Sequence, residues 1–403
     1  MSALGRIFVV AMLMVASASV RAEADQVERG RYLVRAGDCI ACHTRRGGTE
    51  YAGGRAVPTP FGEIYSTNLT PDEDTGLGRW SADEFWSALH EGRGRDGRLL
   101  YPAFPYTNYT LIRREDSDAI FAYLRTLPAV RESNRAANLR FPYNTQIALR
   151  VWRWLYFEPG EFEPDPTRND SENRGAYLVE GLGHCDACHS PRTRLGATDR
   201  EEHLAGAMIP MLGWYAPSLR SGRHERAERV RVLGEGTSER AVVTGPMSEV
   251  VYYSLQYLQP SDLGAIMDYL NSLPRTRPAE TPGAPAVGVR ERQVQQRAGA
   301  GIYAQHCAGC HGEGGEGRAT DYPPLAGNVA VTADTAANPI RTVLLGGFAP
   351  GTQANPRPYG MPPFGQALTD AEIAAVLSYV RGSWGNSASP VSTVEVRRQR
   401  SGY

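Results

Sequence analysis

Apolar residues recur at helical spacing in three widely separated places. Ser117 to Leu127 carries Ile120, Phe121, Tyr123, Leu124 and Leu127 on one stripe, the spacing of an amphipathic helix. Phe121-Ala122-Tyr123-Leu124-Arg125-Thr126-Leu127-Pro128 is echoed by Met267-Asp268-Tyr269-Leu270-Asn271-Ser272-Leu273-Pro274, and Tyr379 marks a third counterpart. Ser261-Asp262 opens the second of these helices. Thr369-Asp370-Ala371-Glu372 opens the third, with Thr as N-cap and Glu three residues on, a capping box. A matching upstream set is predicted: Glu28-Arg29-Gly30-Arg31-Tyr32-Leu33-Val34 parallels Asn173-Arg174-Gly175-Ala176-Tyr177-Leu178-Val179. Between each upstream and downstream helix lie long stretches rich in Gly, Pro and Asn without periodicity. Loops of that length are uncommon in a compact domain unless something else supplies the core.

What supplies it follows each upstream helix. Cys39-Ile40-Ala41-Cys42-His43, Cys185-Asp186-Ala187-Cys188-His189 and Cys307-Ala308-Gly309-Cys310-His311 all fit C-x-x-C-H, the attachment pattern of c-type haem. Cys39, Cys42, Cys185, Cys188, Cys307 and Cys310 can form thioethers to porphyrin vinyl groups. His43, His189 and His311 then supply the proximal nitrogen to iron. A closed zinc site needs four ligands, usually from two separated pairs, and no second pair faces any motif. A thioredoxin-like pair would need no histidine and one copy. Cys39 to Tyr123 and Cys185 to Tyr269 are each 84 residues apart, against 72 from Cys307 to Tyr379. The repeating unit is therefore a whole domain, and a porphyrin wrapped by each set of loops provides the missing apolar core.

Length and composition agree. A chain of 403 residues suits about three domains. Hydrophobic content of 41% and charged content of 22% are ordinary for a globular protein. A formal net charge of -1 gives no argument for a nucleic-acid partner. Residues 1–22 read as a secretory signal: Arg6, an apolar run from Ile7 to Ala16, then small residues with cleavage after Ala18 or Ala22. That run is shorter than the roughly 20 residues of a spanning helix. Export to the periplasm suits haem attachment, and with every Cys used for haem no disulfide is expected.

The expected boundaries are 23–130, 169–274 and 291–385 for the three domains, with connecting segments 131–168 and 275–290 and a polar tail 386–403. Within the first connector, Ile147 to Phe157 is almost wholly apolar. It either docks on a membrane surface or a partner, or fills the seam between two haem domains; the second is the expectation. Gly312 to Gly317 and Gly92 to Gly97 both fit G-x-G-x-x-G. Neither follows a predicted strand or opens a helix, so both are chance matches to a dinucleotide motif.

Met is the common distal ligand in small haem domains, where its thioether raises the potential. Met361 in Gly360-Met361-Pro362-Pro363-Phe364 and Met247 in Gly245-Pro246-Met247-Ser248 are the candidates; Met267 lies on a buried pattern and is structural. The first region has no methionine between Met14 and Met208. Aligning Leu89-His90-Glu91-Gly92 with Leu233-Gly234-Glu235-Gly236 puts Phe104 where Met is expected. Three readings stand for its sixth ligand. His90 supplies it; the site is five-coordinate or closed by water; or Met208, Met211 or His203 reaches in.

Several stretches together carry a resemblance. Asn68-Leu69-Thr70-Pro71-Asp72, Asp96-Gly97 through Tyr106, and Gly175-Ala176-Tyr177-Leu178-Val179-Glu180-Gly181-Leu182-Gly183-His184-Cys185 are part of it. Gly245-Pro246-Met247, Met361-Pro362-Pro363-Phe364 and Asn386-Ser387-Ala388-Ser389-Pro390-Val391-Ser392 complete it. The chain resembles the triple-haem cytochrome c subunits of periplasmic membrane-bound dehydrogenases acting on alcohols, gluconate and other sugar acids, with relatives beside molybdenum hydroxylases. The resemblance implies an all-α fold of three tandem class I cytochrome c domains, and Met247 and Met361 as axial ligands. Many members carry Met at the position of Phe104, and some a C-terminal anchor that this sequence does not display. It implies three covalently bound haem c groups and no catalysis by the chain alone. Electrons would come from a flavin, quinoprotein or molybdenum dehydrogenase subunit. They would leave to a quinone or terminal oxidase, with any membrane association peripheral. A free-standing soluble shuttle, and a peroxidase at an open first haem, are the alternatives.

Overall fold

The computed structural model describes residues 21–220, 225–275, 289–318 and 321–402. The signal segment read for 1–22 falls almost wholly outside these residues, as does most of the Pro-rich connector 275–290.

The fold is built on one helix crossing that occurs three times. A helix at 21–36 packs on Arg114–Leu124, Asp170–Ala176 on Pro260–Ser272, and Val289–His306 on Asp370–Arg381. At each crossing a glycine lies against the backbone of an alanine and the Cβ of the tyrosine four residues later. The trios are Gly30 with Ala119 and Tyr123, Gly175 with Ala265 and Tyr269, and Gly299 with Ala375 and Tyr379. A Cβ at any of the three glycines would overlap the alanine carbonyl oxygen. Only glycine lets the two helix backbones approach so closely. The second upstream helix continues into a π-helix at Tyr177–Leu182. That wider turn accommodates the offset of ten from Gly175 to Cys185, where the first repeat has an offset of nine and the third of eight.

Helices dominate, as expected, but the loops also form short strands that the periodicity did not predict. Ala56–Thr59, Gly62–Tyr65 and Asn138–Leu139 make one antiparallel sheet; Ala207–Met208 pairs with Tyr215–Ala216, and Gly347–Phe348 with Gly360–Met361. Two to four residues are too few to show an alternating pattern. The pairing is set instead by the turns between strands, such as Pro60-Phe61.

The chain divides into two compact units. One holds Met1–Pro164 with Glu180–His184, the other Asp165–Val179 with Cys185–Tyr403. The second and third repeats share a unit because they dock on each other. Thr352 donates to the carbonyl of Glu235 at 3.0 Å and Arg341 lies over the Trp214 ring at 5.1 Å.

Two segments outside the expected domain boundaries are folded. The first connector lies within the first unit: its helix Gln146–Tyr156 holds Leu99 through Gln146, and Arg153 donates to the carbonyl of Glu91 at 2.6 Å. The expectation that its apolar residues would be buried is not met. Leu149 is buried, but Ile147, Val151, Trp154 and Leu155 are exposed, Trp154 to 82%. The polar tail forms a helix of its own. Ser392 and Glu395 form a capping box for helix Thr393–Ser401, whose Val396 is fully buried in the third core with Ile340, Ile373 and Val376. Arg400 pairs with Asp370 at 2.6 Å. One buried valine among arginines is too sparse a signal for a periodicity reading. Among the described residues no helix is long and apolar enough to cross a membrane.

Candidate haem sites

Each C-x-x-C-H motif forms a single helical turn. In all three, the histidine N–H donates to the carbonyl of the first cysteine, His43 to Cys39 at 2.9 Å, His189 to Cys185 at 3.0 Å and His311 to Cys307 at 2.9 Å. Residues four apart on a helical turn share a face, so the first thiol and the imidazole sit on one side. The carbonyl of the residue before the second cysteine is held by an arginine in two repeats. Arg55 donates to Ala41 at 2.6 Å and Arg192 to Ala187 at 2.7 Å.

The three imidazoles share one further contact. Nδ1 of His43 lies 2.6 Å from the carbonyl oxygen of Thr67, Nδ1 of His189 lies 2.7 Å from that of Pro217, and Nδ1 of His311 lies 2.9 Å from that of Pro323. A carbonyl only accepts, so Nδ1 carries the proton in each case. Nε2 is left with a lone pair in a fixed direction, the arrangement a metal-ligating histidine needs. Burial pushes all three pKa values down, against the opposing pull of the carbonyl, which keeps the rings neutral.

The thiols are tuned the other way. Burial, then Asp38 and Cys42, push Cys39 up to about 12; burial, then Cys310, push Cys307 up to about 11. Burial also raises Cys188. Redox-active and metal-binding thiolates sit where their pKa is lowered. No three His, Cys, Asp or Glu side chains converge as a metal site among the described residues. Two thiols on one helical turn beside a histidine whose Nε2 keeps its lone pair fit a c-type haem, with sulfur bonded to carbon and imidazole to iron. The four convergent ligands of a closed zinc site are not present at any motif among the described residues.

The expected distal residues lie on different kinds of segment. Met247 is the second residue of helix Pro246–Tyr253, and Met361 is on the strand paired with Gly347–Phe348; both are half-buried. Met267 is buried at 2% exposure, as a packing residue. In the first unit His90 stacks on Trp86, centroids 4.5 Å apart, and its Nδ1 lies 2.9 Å from the carbonyl oxygen of Thr110. Phe104 stands edge-on to Tyr109 at 5.5 Å. Met208, Met211 and His203 belong to the second unit, Met208 and Met211 being exposed.

Sequence reasoning missed the three carbonyls that orient the histidines. A signal exists: each is followed two residues later by leucine, in Thr67-Asn68-Leu69, Pro217-Ser218-Leu219 and Pro323-Pro324-Leu325. Their distance from the histidine differs in every repeat, which hides the match. Tyr109 was missed as well. It is buried, donates from its hydroxyl to Gly37 at 3.1 Å, and has its pKa raised first by burial and then by Cys39 and Cys42.

The cytochrome c family model matches residues 27–128 and 296–384, inside the first and third repeats. The chain is 36% identical to the gluconate 2-dehydrogenase cytochrome c subunit of Pantoea cypripedii, covering 92% of this chain and 88% of that one. It is 35% identical to the cytochrome c subunit of alcohol dehydrogenase (quinone) from Gluconacetobacter polyoxogenes, over 94% of this chain and 85% of that one. It is also 42% identical, over 89% of its length, to a nicotinate dehydrogenase subunit of Pseudomonas putida, but spans only 30% of that longer protein. With its haem-attachment motifs and near full-length similarity to such cytochrome subunits, the chain belongs to the family of dehydrogenase cytochrome c subunits.

Proposed function

We propose that this chain is the electron-transfer subunit of a periplasmic dehydrogenase complex, folded as three tandem cytochrome c domains that each hold one covalent haem c. The observation that carries this is the threefold recurrence of a C-x-x-C-H turn whose histidine donates Nδ1 to a backbone carbonyl. Cys39 and Cys42, Cys185 and Cys188, and Cys307 and Cys310 would hold the three groups. His43, His189 and His311 would be proximal ligands, with Met247 and Met361 distal in the second and third sites. The haem supplies one-electron chemistry at iron. The chain's own residues fix the ligand atoms, shield them from water and set the potential. The two methionines would favour Fe(II) at their sites.

Electrons would enter from a catalytic subunit of flavin, quinoprotein or molybdenum type and leave to a quinone or terminal oxidase. The relatives' names, gluconate 2-dehydrogenase and alcohol dehydrogenase (quinone) among them, support a partner of this kind. The exposed stripe Ile147, Val151, Trp154 and Leu155, with Phe141 exposed to 81%, supports peripheral docking at the membrane surface. Isolation of the tagged protein from its native membranes, with mass spectrometry of what accompanies it, tests the reading. A stoichiometric catalytic dehydrogenase subunit is expected. A haem protein recovered alone from the soluble fraction contradicts it.

A further inference from the structure

The first two repeats close the segment before the distal position with the same backbone bond, and they differ in the residue that follows it. Helices Ala82–Glu91, Arg226–Glu235 and Ala337–Leu345 each end on a glycine of positive φ, Gly92 at 59°, Gly236 at 80° and Gly346 at 65°, the first two in the left-handed helical region. In the first two the chain reverses and closes on the glycine carbonyl, Leu100 N–H donating to Gly92 at 2.8 Å and Val243 N–H to Gly236 at 2.9 Å. Four residues past the closing bond stand Phe104 and Met247 respectively. The third repeat returns by a longer excursion and carries Met361 on the strand paired with Gly347. The backbone register thus puts a phenyl ring, which has no lone pair to give iron, at the place of the second repeat's thioether.

The surroundings of Phe104 tie it to the first haem-binding turn. Its ring abuts Tyr109, whose hydroxyl donates to Gly37, two residues before Cys39. His90, like the three motif histidines, donates Nδ1 to a carbonyl and keeps a lone pair on Nε2, so its placement and not its protonation sets it apart. It stacks on Trp86 and donates to the carbonyl of Thr110, whose hydroxyl accepts from the N–H of Gly160 in the connecting segment. It lies outside the face buried by Phe85, Ala88 and Leu89. His184 meets the Tyr109 ring at 5.6 Å, on the ring that Phe104 already abuts.

We propose that the first haem is closed on its distal side by the Phe104 ring and not by a protein ligand, so that this haem alone takes up small exogenous ligands such as carbon monoxide or nitric oxide. Distal access decides whether a haem binds small molecules or only passes electrons. The inference rests on the three-haem reading.

Carbon monoxide titration of the dithionite-reduced holoprotein tests it, with covalent haem per chain measured on the same sample. The expected result is three haems per chain and one carbon monoxide bound per chain. Phe104→Met would abolish that uptake, through the new thioether, and Phe104→Leu would retain it. Three haems with no uptake overturns the proposal. So does uptake that persists undiminished in Phe104→Met, or uptake that appears only in His90→Ala or His184→Ala. A count below three contradicts the three-haem reading itself.

Discussion

Asn338 holds the backbone of Tyr215 at both ends: its Nδ2 donates to the Tyr215 carbonyl at 2.8 Å, and its Oδ1 accepts from the Tyr215 N–H at 2.8 Å. The pairing satisfies the edge of the short strand Tyr215–Ala216 with a side chain from helix Ala337–Leu345. It joins the second repeat to the third within one unit. Asn338→Ala leaves a strand donor and acceptor without partners, at a cost of about 1–3 kcal/mol. Limited proteolysis of the variant is expected to separate the second and third repeats sooner than in the native protein. An unchanged digestion rate contradicts that role.

The distal methionines are expected to set potential. Imidazole stabilises Fe(III) better than thioether does, so Met361→His should lower the potential of one haem and leave the others in place. Spectroelectrochemical titration reads this directly. A variant with every potential unchanged removes Met361 from the iron.

The exposed helix Gln146–Tyr156 carries Trp154 at 82% exposure beside Ile147 and Val151. Trp154→Glu places a charge in the middle of the apolar stripe. Cosedimentation with vesicles containing anionic lipid should fall at least about tenfold, since burying such a side chain contributes on the order of 1.5–3 kcal/mol. Equal binding by the two proteins would show that the stripe does not face lipid.

Acid stability should depend on Asp268. Arg226 donates to it at 2.7 Å and Ser171 at 2.7 Å, and together they hold its carboxyl below the usual carboxylate range. A lowered folded pKa adds stability above the unfolded value near 4, lost as pH falls through the folded value. Asp268→Asn should therefore cost about 1 kcal/mol or less at pH 7. The gap in denaturation midpoint should close in strong acid. A gap constant with pH contradicts the linkage.

Much of this molecule was legible in advance because it is written three times. Gly30, Gly175 and the paired tyrosines Tyr123 and Tyr269 stand out when the first two regions are overlaid, and the C-x-x-C-H turns need no alignment at all. What was hidden depends on contacts between residues at variable spacing. Thr67, Pro217 and Pro323 reach their histidines across loops of different length, so only their carbonyl oxygens are equivalent. The closing helix was hidden because one buried valine, Val396, and a polar pair, Arg400 with Asp370, anchor it, and neither makes an apolar period. The connector was misread because apolar content alone does not say which side of a helix is covered. The sharing of one unit by two repeats rests on pairs such as Asn338 with Tyr215, 123 residues apart, which no local pattern announces.

The central claim is that three covalent haems in one chain make a path for electrons. Intact-mass measurement of the exported protein, paired with a reductive titration counting electrons per chain, tests it most directly. The account predicts three haems covalently attached and three electrons taken up. Two haems, or a chain mass matching the bare polypeptide, would contradict it.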